Sequence, residues 1–161
     1  MTTFIIDIDG TLCEYKRRME VAGPEPERGT PQHWEWLDKI QLPEDLIKDN
    51  PIPGMKELVW AISTFCALKH GLMEHREVVY LTARNENLRQ ATNDWLQIHG
   101  FPELNLFMRP EHETVENHEL KRSIIRAFRG TKVIIDDDPS GKLADVCLQE
   151  GWTFLKPITS R

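Results

Sequence analysis

Cysteine is scarce in this chain. Cys13, Cys66 and Cys147 are the only three in 161 residues, and none stands in Cys-x-x-Cys spacing, which argues against a disulfide framework or a zinc site and for three reduced thiols. The six histidines contain no His-Glu-x-x-His, so zinc-peptidase chemistry drops out, and His112 and His118 read as surface residues. No Gly-x-x-x-x-Gly-Lys-Ser/Thr occurs, so a P-loop kinase is not part of this sequence. No apolar run approaches the roughly 20 residues of a membrane span. The first residues enter a strand rather than a signal peptide, so a cytoplasmic protein without a membrane partner is expected. Positive charge is also in short supply. There are 20 Lys and Arg against 26 Asp and Glu, for a net charge of -6, and Lys16-Arg17-Arg18 is the only dense basic run.

What is present is an ordinary globular composition, 40% hydrophobic and 29% charged, in a chain long enough for one domain with a substantial core. The most informative stretch is Asp7-Ile8-Asp9-Gly10-Thr11-Leu12, directly after the apolar run Phe4-Ile5-Ile6. In an extended run, residues two apart share a side, so Asp7 and Asp9 both face one site at the strand's end. Carboxylates that close either repel or share a cation, and a hard divalent ion such as Mg²⁺ suits oxygen ligands. Gly10 permits a tight turn, and Thr11 offers a hydroxyl or amide to a bound anion.

Three further segments carry chemistry. Glu77-Val78-Val79-Tyr80-Leu81 reads as a buried strand ending in Thr82-Ala83-Arg84, where a hydroxyl and exposed amides can meet phosphate oxygens. Lys121 lies in Glu119-Leu120-Lys121-Arg122-Ser123-Ile124-Ile125, a helix opened by Asn117. Lys132-Val133-Ile134-Ile135 is a third apolar strand, and it runs into Asp136-Asp137-Asp138-Pro139. Three acids after a buried strand must be solvated or bound to a cation. Asp138 is a natural helix N-cap with Pro139 at the first helical position, which accounts for one of the three.

Strands and helices alternate as in a doubly wound α/β fold. After strand Thr3 to Ile6, a helix is expected from Pro53 to about His70, with Met55, Leu58, Val59, Ile62 and Cys66 on one face and Gly71 as its stop. Asn85 caps a helix carrying Leu88, Ala91, Trp95 and Leu96 that Gly100 ends. Leu104 to Met108 is a short strand, Leu143, Val146 and Cys147 face inward from a helix stopped by Gly151, and Trp152 to Leu155 closes the sheet. Residues 13–52 break the alternation, with Pro24, Pro26, Pro31, Pro43 and Pro51 and the aromatic pair Trp34 and Trp36. They read as a small cap or flap, the other possibility being a surface excursion with a satellite core around the tryptophans.

The four segments, in this order, resemble the motifs of the haloacid dehalogenase (HAD) superfamily of phosphatases. The resemblance implies a doubly wound parallel sheet, residues 1–161 as one HAD-like domain with residues 13–52 as its cap, and Asp7 on a central strand between the Thr82 and Asp137 strands. It implies Mg²⁺ held by Asp7, Asp137 and the backbone carbonyl of Asp9, with Asp7 as nucleophile, Asp9 as acid and base, and Thr82, the Ala83 amide and Lys121 on the phosphoryl oxygens. Asp136 is assigned to orienting Lys121 or a metal-bound water, although Asp136 and Asp137 are interchangeable at this stage. A narrower likeness, carried by Leu81-Thr82-Ala83-Arg84, Ala91-Thr92-x-x-Trp95-Leu96, Leu106-Phe107-Met108-Arg109-Pro110 and Lys121 twelve positions after Arg109, is to the phosphatase domain of polynucleotide kinase-phosphatases. It adds Arg84 and Arg109 as substrate contacts. That family's Asp-x-Arg-x-Asp stretch reads Glu113-Thr114-Val115-Glu116-Asn117 here, without the middle arginine.

Three functions compete on these readings. The first is a Mg²⁺-dependent phosphomonoesterase acting on polynucleotide 3'-phosphate ends or nucleotides, with Lys16, Arg17 and Arg18 guiding an anionic substrate and a separate kinase or ligase as partner. The second is a small-molecule phosphatase. The third is a non-catalytic nucleic-acid end-binding module, against which stands the cost of keeping several uncompensated acids.

Overall fold

Phe4, Ile5 and Ile6 form an apolar run because their strand is covered on both faces and hydrogen-bonded on both edges. The computed structural model describes residues 1–27, 30–68 and 76–157. In chain order they form β1 (Thr2–Ile6), β2 (Cys13–Glu14), α1 (Lys16–Ala22), α2 (Pro31–Ile40), α3 (Pro43–Leu46), β3 (Asn50–Pro51), α4 (Met55–Ala67) and β4 (Arg76–Asn85). A 3-10 turn (Glu86–Leu88) then leads to α5 (Arg89–Ile98), β5 (Asn105–Arg109), α6 (Asn117–Ala127), β6 (Thr131–Ile135), α7 (Lys142–Glu150) and β7 (Thr153–Leu155). Five strands make one sheet in the order β5-β4-β1-β6-β7, and every pairing in it is parallel. The strand carrying Asp7 at its end is central, between those carrying Thr82 and leading to Asp137, as the sequence implies.

Alternation along the strands sorts the core into two layers. Ile5, Val79, Leu81 and Ile134 face one side, where Ile125, Leu143 and Cys147 of α6 and α7 cover them. Ile6, Val78, Tyr80 and Ile135 face the other, against Met55 and Val59 of α4 and Trp95 and Leu96 of α5. Two helices differ from their sequence expectation. In α4 only Met55 and Val59 are buried, while Leu58, expected on the covered face, is 41% exposed. The expected end at His70 and Gly71 lies outside the described residues. Helix α7 begins at Lys142, not Pro139. Asp138 still serves it, since its Oδ2 accepts from Ala144 N at 2.9 Å, but from a tight turn at φ 29° rather than from the N-cap position.

Residues 13–52 leave and rejoin the sheet layer through the antiparallel pair β2 and β3, with Cys13 opposite Pro51 and Glu14 opposite Asn50. Ile52 N also donates to Leu12 O at 2.7 Å. The segment is anchored by fully buried Leu46 and by Trp95, whose Nε1 donates to Asp49 O at 2.8 Å. Trp36 is buried with its Nε1 on Gly23 O at 2.9 Å, while Trp34 is 41% exposed.

Candidate active site

The β1 ladder extends one residue past the strand. Asp7 N donates to Ile135 O at 2.9 Å, which delivers the buried Asp7 side chain to the carboxyl edge of the sheet beside the turn after β6. Ile8 points into the core, so Asp9 returns to Asp7's side. Gly10 then turns the chain at φ +80°, and a Cβ there would lie 2.2 Å from Asp137 Oδ2. The two acidic loops are therefore interlocked, and Thr11 completes the joint: its buried hydroxyl accepts from Asp137 N at 3.0 Å.

One half of the site is a carboxylate cluster around a single ammonium. Lys121 Nζ, from α6, donates to Asp7 Oδ1 at 2.8 Å and to Asp136 Oδ2 at 2.6 Å. The second oxygen of Asp136 accepts from Asp138 N at 2.8 Å. Among the described residues nothing donates to the Asp137 carboxylate. Burial would strip the proton from Lys121, but Asp136 and Asp7 outweigh it and hold the ammonium well above lysine's usual range. Burial likewise pushes the Asp7 carboxyl well up, against the pull of Lys121. Burial and then the neighbouring Asp136 charge push Asp137 up to about 6. Asp7, Asp136 and Asp137 each offer an oxygen, all within 4.8 Å of one another. A cluster of hard oxygen donors whose charges are held back by burial and mutual repulsion fits a divalent cation such as Mg²⁺.

The other half is built on arginine. Asp9 receives Arg84 in bidentate fashion, Nε on Oδ2 and Nη2 on Oδ1, both at 2.8 Å. Arg18 of α1 adds its Nη2 to Oδ1 and uses Nε on Asp49 Oδ2 at 2.8 Å and Nη1 on Ile40 O at 2.5 Å. Burial opposes ionisation of Asp9, yet the two guanidinium groups overcome it and hold the carboxyl far below its usual range. Asp9, Cys13 and Asp49 form a second close group of ligand atoms, but two arginines already neutralise its two carboxylates and leave no charge for a metal.

Several residues thus stand elsewhere than the sequence suggests. Arg84, expected to meet substrate, is 2% exposed and divides its guanidinium between Asp9, Thr92 Oγ1 at 3.2 Å and Cys13 Sγ at 3.4 Å. Thr11, expected on an anion, is enclosed and bound to Asp137 N. Arg109 turns into the loop ahead of α6. The basic run is divided, because successive helical positions point about 100° apart: Arg18 faces inward, while Arg17 pairs with Asp45 at 3.2 Å and Lys16 with Glu20 at 3.9 Å on the surface. Thr82, next to Ala83 in β4, is likewise buried, its Oγ1 accepting from Arg84 N at 3.3 Å. Sequence reading missed Asp49 and Cys13, which no local pattern distinguishes. It also missed Tyr15, whose hydroxyl is pushed up to about 12 by burial and then by Asp137, Asp9 and Asp7; only its place just before the basic run hinted at it.

No protein-family model and no curated protein matches the chain. Solved structures do. A chain of the Pnkp1/Rnl/Hen1 complex aligns with a TM-score of 0.65 and 14% identity over 99% of this chain and 47% of its own length, and a further structure of that assembly is described as an RNA repair complex. The HAD domain of effector protein Lem4 from Legionella pneumophila gives 0.53 at 14% identity, covering 99% of this chain and 87% of that one. A hydrolase from Streptococcus pneumoniae gives 0.55 at 13%, covering 98% and 92%. This chain spans about half the length of the Pnkp1-complex chain that it matches. At such identities the likeness shows architecture, and the architecture is the HAD fold.

Proposed function

We propose that this chain is a cytoplasmic Mg²⁺-dependent phosphomonoesterase working through an aspartyl-phosphate on Asp7. The observation that carries the reading is the division of the site: a carboxylate cluster at Asp7, Asp136 and Asp137 beside an arginine-held Asp9, at the carboxyl edge of a parallel sheet where ligands bind in such folds. Asp7, Asp137 and the backbone carbonyl of Asp9 would hold the metal, with Asp137 ahead of Asp136 because both Asp136 oxygens already accept hydrogen bonds. Bound Mg²⁺ supplies charge neutralisation at the phosphoryl oxygens.

The free oxygen of Asp7 attacks phosphorus, the bond to the leaving oxygen breaks, and an acyl phosphate forms. Lys121, the Thr82 hydroxyl and the Ala83 amide balance charge on the transferred group. Asp9 is held as the carboxylate by Arg84 and Arg18, so the proton it passes to the leaving oxygen comes from the phosphate monoanion of the substrate, and as a carboxylate again it draws the proton from the water that hydrolyses the intermediate. Its arginines favour the form needed for that second step. Residues 13–52 act as a cap that brings Arg18 and Tyr15 over the site.

For substrate, the likeness to a chain of an RNA repair complex supports 3'-phosphorylated polynucleotide ends or nucleotides, with a separate kinase or ligase as partner. A small phosphomonoester is the second reading, favoured by the basic run being consumed internally and in surface pairs. Hydrolysis of 3'-phosphorylated oligonucleotides, nucleoside monophosphates and sugar phosphates, assayed side by side with Mg²⁺ and with EDTA, tests both. Turnover restricted to one class and abolished by chelation is expected. Turnover in thoroughly chelated protein removes the metal, and none with any phosphomonoester sinks the proposal.

A further inference from the structure

We infer that Arg109 is a positioning residue that braces together the two segments carrying the phosphate-contacting groups Thr82 and Lys121, rather than a substrate ligand. This rests on the phosphatase reading above. Arg109 ends β5 and is half-buried. Its Nε donates to Ala83 O at 3.3 Å, its Nη1 to Glu113 O at 3.1 Å and Val115 O at 2.8 Å, and its Nη2 to Asn117 Oδ1 at 2.7 Å. Four hydrogen bonds occupy four of the five N–H groups a guanidinium has, so little remains for a substrate phosphate.

The first brace acts through one peptide. Ala83 O and Arg84 N belong to the same planar unit. Arg109 holds its carbonyl end, and Thr82 Oγ1 accepts from its N–H end at 3.3 Å. With a lone pair of the hydroxyl so engaged, the Thr82 Oγ1 keeps its proton free to donate. The second brace acts on a helix start. Asn117 is the first residue of α6, one turn before Lys121, whose ammonium must stay between Asp7 and Asp136. Glu113, Val115 and Asn117 are the three positions at which this chain departs from the Asp-x-Arg-x-Asp stretch. Arg109 takes two backbone carbonyls and one amide side chain there, so the departure is absorbed by a single guanidinium fork that lysine cannot copy.

Arg109→Gln and Arg109→Lys test the inference with orthovanadate as the phosphate-site probe and Mg²⁺ present. Both variants are expected to lower kcat by about 10- to 100-fold, equally for p-nitrophenyl phosphate and a 3'-phosphorylated oligonucleotide, with KM little changed and vanadate bound correspondingly more weakly. A rise in KM confined to the oligonucleotide overturns the inference and makes Arg109 a ligand for a flanking phosphate. Asn117→Ala and Asn117→Asp guard against misfolding: the alanine variant should show a smaller loss of the same kind, and the aspartate variant, which still accepts from Arg109, should keep wild-type kcat. Amide hydrogen exchange gives a readout independent of turnover. Faster exchange in residues 82–85 and 116–121 of Arg109→Gln, with β1 unchanged, supports the brace even if no phosphomonoester is hydrolysed, in which case only the phosphatase reading fails. Unchanged exchange in both segments overturns the brace.

Discussion

Asp7 and Asp9 come from one hexapeptide and face the same way, yet their surroundings push them in opposite directions. Asp7 shares one lysine with Asp136 and is held up by burial. Asp9 has two arginines and is held down. The contrast shows how a single turn supplies both a negative cluster with room for a cation and a finished ion network without it. The difference lies in what faces each carboxylate: α6 provides one ammonium for three acids, whereas β4 and α1 provide a guanidinium each for Asp9 and Asp49.

The deepest break in the comparison is Asp7→Asn. It should reduce turnover by a factor on the order of 10⁵ or more, as for other covalent nucleophiles, while thermal unfolding shows no loss, since the change removes a charge that burial penalises. Asp9→Asn should reverse the pattern. Two buried guanidinium groups lose a charged partner, Arg18 keeping Asp49, and denaturant unfolding should register a loss of about 3 kcal/mol. Its kcat on alkyl phosphates should fall by about 10²–10⁴, and by less on p-nitrophenyl phosphate, whose leaving group needs no proton. An equal fall on both would remove Asp9 from proton transfer.

Gly10→Ala sits at the boundary of the two halves. The added methyl collides with Asp137 while forcing a side chain into a left-handed turn, so a stability loss of about 1–3 kcal/mol and weaker Mg²⁺ binding by titration calorimetry are expected. Mild acid should then separate the halves in the unmodified protein. Asp137 is raised from 3.8 to about 6, so the folded state takes its proton more readily than the unfolded chain. Without divalent metal, its contribution to stability is present below pH 3.8 and is lost as pH rises through 6. Asp9 is lowered from 3.8, so its contribution is present above that pH and is lost only in strong acid. Mg²⁺ must displace the Asp137 proton, and its affinity should weaken about tenfold per pH unit below 6. A Mg²⁺ affinity flat between pH 5 and 7 would exclude Asp137 as a ligand. Lys16→Ala with Arg17→Ala should change kcat on small esters by less than about twofold, since exposed pairs contribute little.

The sheet and the cluster at Asp7 and Asp137 were legible because apolar strands ending in acids are written locally. So was the central position of β1, once the motifs were taken in order. The fate of the arginines was not. Arg84 and Arg18 meet Asp9 across 75 and 9 residues, and no periodicity reveals that a cation at the end of a buried strand is spent on a carboxylate. Leu58 misled for a related reason: helical spacing finds the covered stripe of α4 but not where it ends, which depends on how α4 lies against β4. The lysine at 121 was readable by its distance from Arg109, whereas Asp49 became part of the site only when the chain returned to β3.

That return confers a kind of modularity. Because Cys13 lies opposite Pro51, the two ends of a forty-residue excursion stand one strand spacing apart, about 4.8 Å, and the parallel sheet does not register what is spliced between them. Segments of other lengths can be grafted at this neck without altering the order of a single strand. The graft must refill the space of Leu46, give the buried Trp95 indole N–H an acceptor in place of Asp49 O, and return a cation to Asp9. A library built on that rule would vary the excursion while leaving the order of the five strands unchanged.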